Sequence, residues 1–415
     1  MKPLHAPPAK PVPGPRIADR LATGLLLSLP LLFLPALPAA AAPFTPASDN
    51  EVVERLPGRA GDDPAIRRVE SLRRQLAAQP QDLQLRTEVA RRYFDLAMAQ
   101  GDPRYAGYAS GALAALAAQP PQDANYWLVR GLLEQFHHDF ERALDSLARA
   151  AQADPALPDP VAWRAAIFMV QARYPEAASE CAKLAPLAHP LWAAGCAAYA
   201  QAAQGGLRPA YEGLVNASAK ATGVPGSLRL WTETRLAEMA QRLGRTDAAA
   251  RHFQRALETG ITDQFLLGAY ADFLIAQGRP AEVLKLLASW ERSDILLLRL
   301  ALAGKAAQDR RAEDWARQLR ERFAAAERRK DRLHEWEAAV FELDIEGRPE
   351  QALRLAAANY GAQREPRDAL LLMRAALAAG KPAEAAPALA WFKASRHEDP
   401  VIQPVARRLE AGGAR

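Results

Sequence analysis

Three short clusters bring together the residue types that acid–base or metal chemistry uses: His137-His138-Asp139, His334-Glu335-Trp336-Glu337 and His397-Glu398-Asp399. Neighbouring side chains on a helix diverge by about 100°, so the adjacent histidines of the first cluster cannot grip one ion as an i, i+4 pair would. They fall where one helix gives way to the next and read as exposed turn residues. The second cluster has the His-Glu start of a zinc-protease helix but lacks the second histidine. The third precedes Pro400 at a helix end, where a solvated or satisfied surface group is the expectation. Glycines are spaced and not clustered, so there is no phosphate-cradling loop, and Gly-x-Ser-x-Gly does not occur. No catalytic residue, metal site or cofactor emerges, and the chain is expected not to be an enzyme.

Charge points the same way once it is divided along the chain. The formal charge is +5 and the pI near 9.2. Lys2, Lys10, Arg16 and Arg20 against Asp19 place +3 of that in residues 1–41. No charged residue lies between Arg20 and Asp49, and the Leu-rich run Leu21–Leu37 ends in Ala39-Ala40-Ala41-Ala42. A basic leader, an apolar stretch and a small-residue cleavage site read as a secretory signal peptide cut near Ala41, leaving a periplasmic product. The alternative is an uncleaved membrane anchor, and Pro30, Pro35 and Pro38 interrupt the span it would need. No membrane span is expected in the mature chain. Arg317–Arg332 carries Arg320, Arg322, Arg328, Arg329, Lys330 and Arg332, but Glu321, Glu327 and Asp331 are threaded among them. Interleaved charges describe a solvated, salt-bridged helix face, so nucleic acid is not expected as a partner.

The elements that must carry these residues are helices. Half the chain is hydrophobic but only 7% is aromatic, and Ala and Leu, strong helix formers, supply most of the apolar content. A turn signature then recurs: Gly278-Arg279-Pro280-Ala281-Glu282, Gly347-Arg348-Pro349-Glu350, Gly380-Lys381-Pro382-Ala383-Glu384 and Gly244-Arg245-Thr246-Asp247. Gly244 and Gly278 are 34 residues apart, as are Phe140 and Tyr174. Glycine ends one helix and proline opens the next. One such pair cannot bury its apolar side, so pairs must stack.

This pattern resembles the tetratricopeptide repeat (TPR). Trp127, Gly131, Phe140, Ala143, Leu147, Ala150 and Pro155 in residues 124–157 stand at the family's signature places, with Glu134 where an aromatic is usual. Further units are read at 158–190, 230–263, 264–297, 332–365 and 366–399, with degenerate stretches at 80–120, 191–229 and 298–331. The resemblance implies an all-α fold, an α-solenoid of stacked helix-turn-helix repeats forming a right-handed superhelix over residues 62–400. An extra helix near Pro64–Ala78 would precede it, residues 42–61 would be a flexible tether and 401–415 a C-terminal tail. A related α-solenoid with the same pairwise stacking is the structural alternative. Cys181 and Cys196 would lie on consecutive packed helices, where they either pair as a disulfide, if their Cα atoms come within about 7 Å, or stay separate as small buried residues.

The family binds partners in the concave groove lined by the first helix of each pair. Carried over by register, the candidate partner-binding residues are Asn125, Leu128, Leu132 and Gln135; Trp231, Glu238 and Arg242; Phe265 and Asp272; His334, Glu337 and Phe341; and Arg367 and Arg374. Trp231 and Phe265 would be the aromatic anchors. With only Asn50, Asn125, Asn216 and Asn359, the chain lacks the asparagines of the family's carboxylate clamp. The implied function is an exported scaffold or adaptor holding a protein or peptide; the alternative is direct binding of a polysaccharide or small envelope ligand. The sequence leaves the oligomeric state open.

Overall fold

The structure, a computed structural model, describes residues 63–412, with Ser48 alone before them. The expected leader at 1–41 and, Ser48 apart, the tether at 42–61 lie outside the described residues. All the regular structure described is helical. Helix α1 (Pro64–Ala78) leads, followed by nine helix pairs among the described residues. These are α2 (Leu83–Gln100) with α3 (Pro103–Leu113), α4 (Ala124–Phe136) with α5 (Phe140–Ala153), and α6 (Pro158–Val170) with α7 (Tyr174–Lys183). Next come α8 (Pro190–Ala202) with α9 (Leu207–Lys220), α10 (Gly226–Arg242) with α11 (Thr246–Leu257), and α12 (Gln264–Ala276) with α13 (Pro280–Leu286). The last three are α14 (Asp294–Ala307) with α15 (Ala312–Arg328), α16 (Glu335–Val340, running on as a π-helical turn to Ile345) with α17 (Pro349–Ala362), and α18 (Pro366–Ala378) with α19 (Ala386–Ser395).

Every pair turns through one residue of left-handed conformation: Gly101, His138, Ala172, Gly205, Gly244, Gly278, Gln308, Gly347 and Gly380. Six are glycines, for which that conformation costs nothing. Two devices recur at the helix starts. Asp82, Asp102, Asp123, Asp139, Asp263 and Ser293 accept a hydrogen bond from a first-turn N–H, and proline opens α6, α7, α8, α13, α17 and α18.

Small residues set the distance between helices. Ala143, Ala177, Ala249, Ala271, Ala339 and Ala385 are wholly buried. At Gly131 a Cβ would sit 2.8 Å from Leu147 Cγ, so α4 and α5 are as close as backbone and side chain allow. Cys181 on α7 and Cys196 on α8 form a disulfide, their Cα atoms 5.4 Å apart. The expected C-terminal tail contains a helix instead, α20 (Ile402–Gly412): Ile402, Ala406 and Leu409, at helical spacing, are buried on the last pair. The basic helix behaves as its interleaved charges imply. Trp315, Ala316 and Leu319 face the core, while Arg317 pairs with Asp314, Arg320 with Glu346 and Arg322 with Asp294.

The described chain also closes on itself. Helix α2 touches α12, the Arg364 N–H donates to the Val170 carbonyl at 2.7 Å, and Trp391 Nε1–H donates to Tyr174 Oη at 3.0 Å. The Leu207 N–H donates to Glu398 Oε1 at 3.0 Å. His138, expected as an exposed turn residue, instead meets Gln363 across this seam, because its turn is held inward by the opposite arm.

Candidate functional site

Closure turns the inner face of the solenoid into a cavity of about 460 Å³. Seven of the fourteen groove residues read from the sequence line it: Gln135, Glu238, Phe265, Asp272, His334, Glu337 and Arg367. Leu128, Leu132 and Phe341 do not reach the groove. They are buried in the core, Phe341 with its ring against Phe323, because the inner helix of a pair must also cover its own outer partner. Trp231, one expected anchor, rests on Gly195 away from the cavity. Arg242 is spent on the seam, donating to the carbonyls of Ala202 at 2.7 Å and Glu398 at 3.0 Å. Arg374 pairs with Asp344 at 2.6 Å. Asn125 lies apart, exposed in a hollow beside Arg91 and Glu88.

The cavity's charges are paired. Arg299, buried in an apolar helix, donates Nε and Nη2 to Asp272 at 3.0 and 2.7 Å and approaches Glu337 at 3.9 Å. His334 Nδ1 stands 3.7 Å from Glu337. Burial opposes charge on both members of that pair, yet mutual attraction outweighs it. The His334 pKa is raised, and Glu337, with Arg367 and Arg299 adding to His334, falls to about 2. Arg367 Nε donates to Glu365 at 3.2 Å. Arg235 Nη1 lies 3.0 Å from Glu238, whose pKa is raised by burial and by the like charge of Glu365 against the pull of Arg235. Trp336 has two guanidiniums over its ring, Arg299 at 5.2 Å and Arg367 at 4.9 Å from its centroid. Arg235 lies 4.5 Å from that of Phe265.

Arg299, Trp336, Glu365, Gln363 and Arg235 join the site without having been singled out for it. Arg299 carries a readable signal, a lone charge within Ile295-Leu296-Leu297-Leu298-Arg299-Leu300-Ala301, where an amphipathic helix would show a polar face. Glu365 carries little, since the residue before Pro366 reads as a helix boundary. No Ser, Thr, Cys, Lys or Tyr is among the described residues lining the cavity, so no hydroxyl, thiol or amine nucleophile faces its carboxylates. The arrangement holds charge in fixed places, which suits recognition.

No family model matches the sequence, and no curated protein matches it. Among solved structures, yeast Tom70 is similar over 86% of this chain and 86% of its own, at 13% identity and a TM-score of 0.40. The anaphase-promoting-complex hetero-tetramer Cut9–Hcn1 is similar over 83% of this chain, at 12% identity and a TM-score of 0.39, and this chain spans only 52% of the length of the one it matches there. The P58(IPK) TPR domain is similar over 79% of this chain and 98% of its own, at 14% identity and a TM-score of 0.23. By its nine pairs and their turns, the fold is an α-solenoid of TPR-like repeats.

Proposed function

We propose that the chain is exported to the envelope compartment and serves there as a non-enzymatic scaffold, holding a protein partner through the inner face of the superhelix. Export rests on the basic, apolar leader read from the sequence, and one observation carries the binding role. On a face that closure otherwise buries, Phe265, Asp272 and Arg367, from two different helix pairs, stay exposed at one cavity. An exposed aromatic ring flanked by one charge of each sign is the composition of an interface hot spot. Trp231 does not contribute, so Phe265 is the anchor.

The test is affinity purification of the full chain from envelope extract beside a Phe265→Ala variant. The reading expects a discrete protein retained by the wild type and lost from the variant. Recovery of no protein, with retention of the chain on a polysaccharide matrix, would overturn it in favour of direct polymer binding.

A further inference from the structure

The geometry of the cavity points to a small-ligand site, and we infer that it takes an organic cation, an ammonium or guanidinium group on an apolar stem. Its volume, about 460 Å³, lies in the range of small-molecule pockets. Five carboxylates line it, Glu238, Asp263, Asp272, Glu337 and Glu365, against the guanidiniums of Arg299 and Arg367. With Arg235, which holds Glu238 from behind, the excess is one or two negative charges, depending on whether His334 is protonated; His138 stays neutral, since burial brings its pKa to about 4.

Accessibility sharpens this count. Arg299 is 3% exposed and Arg235 9%, so both guanidiniums sit behind the carboxylates they hold. The side chains left facing the space are Asp272 at 47%, Glu238 at 26% and Glu365 at 25%, with one cation, Arg367, at 44%. The accessible front is acidic while the layer behind it is basic.

Two further features ask for a donor carried on an apolar body. Glu238 Oε2 is ion-paired with Arg235 Nη1 at 3.0 Å but without hydrogen-bond alignment, so it keeps lone-pair capacity that a bound N–H would use. Phe265, 45% exposed, offers aromatic surface beside it, and Met98, Val170, Ile295 and Leu333 give the wall an apolar stretch for a stem. The cavity already stabilises guanidinium against aromatic rings at Trp336 and Phe265, the chemistry the inferred ligand would repeat.

The cation could be a free amine or a basic side chain presented by a protein, and calorimetric titration of the full chain separates these sources. The probes are spermidine, an end-blocked Ala-Lys-Ala peptide and glutamate. One saturable site for spermidine assigns a free amine; one for the peptide alone assigns a presented side chain. In either case Glu238→Gln should weaken binding about tenfold or more with an unchanged circular dichroism spectrum. Should that variant not fold, Phe265→Ala, which removes an exposed ring, gives the same reading. Binding of glutamate in preference to both cations, full cation binding by the folded variant, or no binding of either cation would overturn the inference. The cavity is the one proposed to hold a protein, so a site for the peptide alone agrees with that reading, whereas spermidine binding or no cation binding leaves protein capture to its own test.

Discussion

Replacing Glu337 by Gln removes one charge from the centre of the inner network and nothing of its size. The carboxylate is buried, 3.7 Å from His334 and 3.9 Å from Arg299. Burial alone would raise its pKa above 4.5, but these cations hold it at about 2. A folded-state pKa below the unfolded one means that the unfolded chain binds the proton more readily. The stabilisation is therefore fully present above pH 4.5 and is lost as pH falls towards 2. Between those pKa values it amounts to about 3 kcal/mol at pH 7, declining to about 2 kcal/mol at pH 3.5. Urea denaturation of wild type and variant at pH 7, 5 and 3.5, followed by circular dichroism and tryptophan fluorescence, measures the gap. It should be widest at pH 7 and close with acid. A gap independent of pH, or none at pH 7, would refute the claim that paired charge stabilises this face.

Three other outcomes follow from the same structure. Reducing the Cys181–Cys196 disulfide, whose cysteines are 15 positions apart, should cost about 3 kcal/mol through loop entropy, read as lost hydrogen-exchange protection in α7 and α8 with distant pairs unaffected. Gly131→Ala would put a methyl 2.8 Å from Leu147 Cγ and 3.2 Å from the Ala143 carbonyl, and should lower stability by about 1–3 kcal/mol in thermal denaturation. His138 is held neutral, its pKa brought to about 4 by burial, whereas in the unfolded chain it titrates near 6.5. Its contribution to stability is thus complete above pH 6.5 and lost as pH falls from there towards 4, and the pH–stability profile of His138→Gln should be flatter across that window.

The helix pairs were legible in the sequence because their turns obey local rules. Gly244, Gly278, Gly347 and Gly380 announce the left-handed residue each turn needs, and Pro64–Ala78 is bounded by a proline at its start. Three turns carry no such glycine, since His138, Ala172 and Gln308 adopt the same left-handed conformation without being glycine, and of these only Gln308 falls in a stretch that reads as degenerate. α20 was hidden by Pro404 and by a short apolar stripe that acquires meaning only against the last pair. The site was half legible. Register alone indicates which residues face inward, so Glu238, Asp272 and Arg367 could be named. It does not reveal that the arms meet. The seam rests on pairs such as Val170 with Arg364 and Tyr174 with Trp391, separated by about two hundred positions and carrying no shared pattern.

Closure is what turns a groove into a site, and a cross-link across the seam tests it most directly. With His138→Cys and Gln363→Cys in one chain, where the native side chains are in hydrogen-bond contact, a short bismaleimide should bridge them rapidly within the monomer. The link should survive dilution and should leave the circular dichroism spectrum unchanged. Absence of the bridge, or bridging only between separate chains, would show that the arms stand apart and that the cavity does not exist.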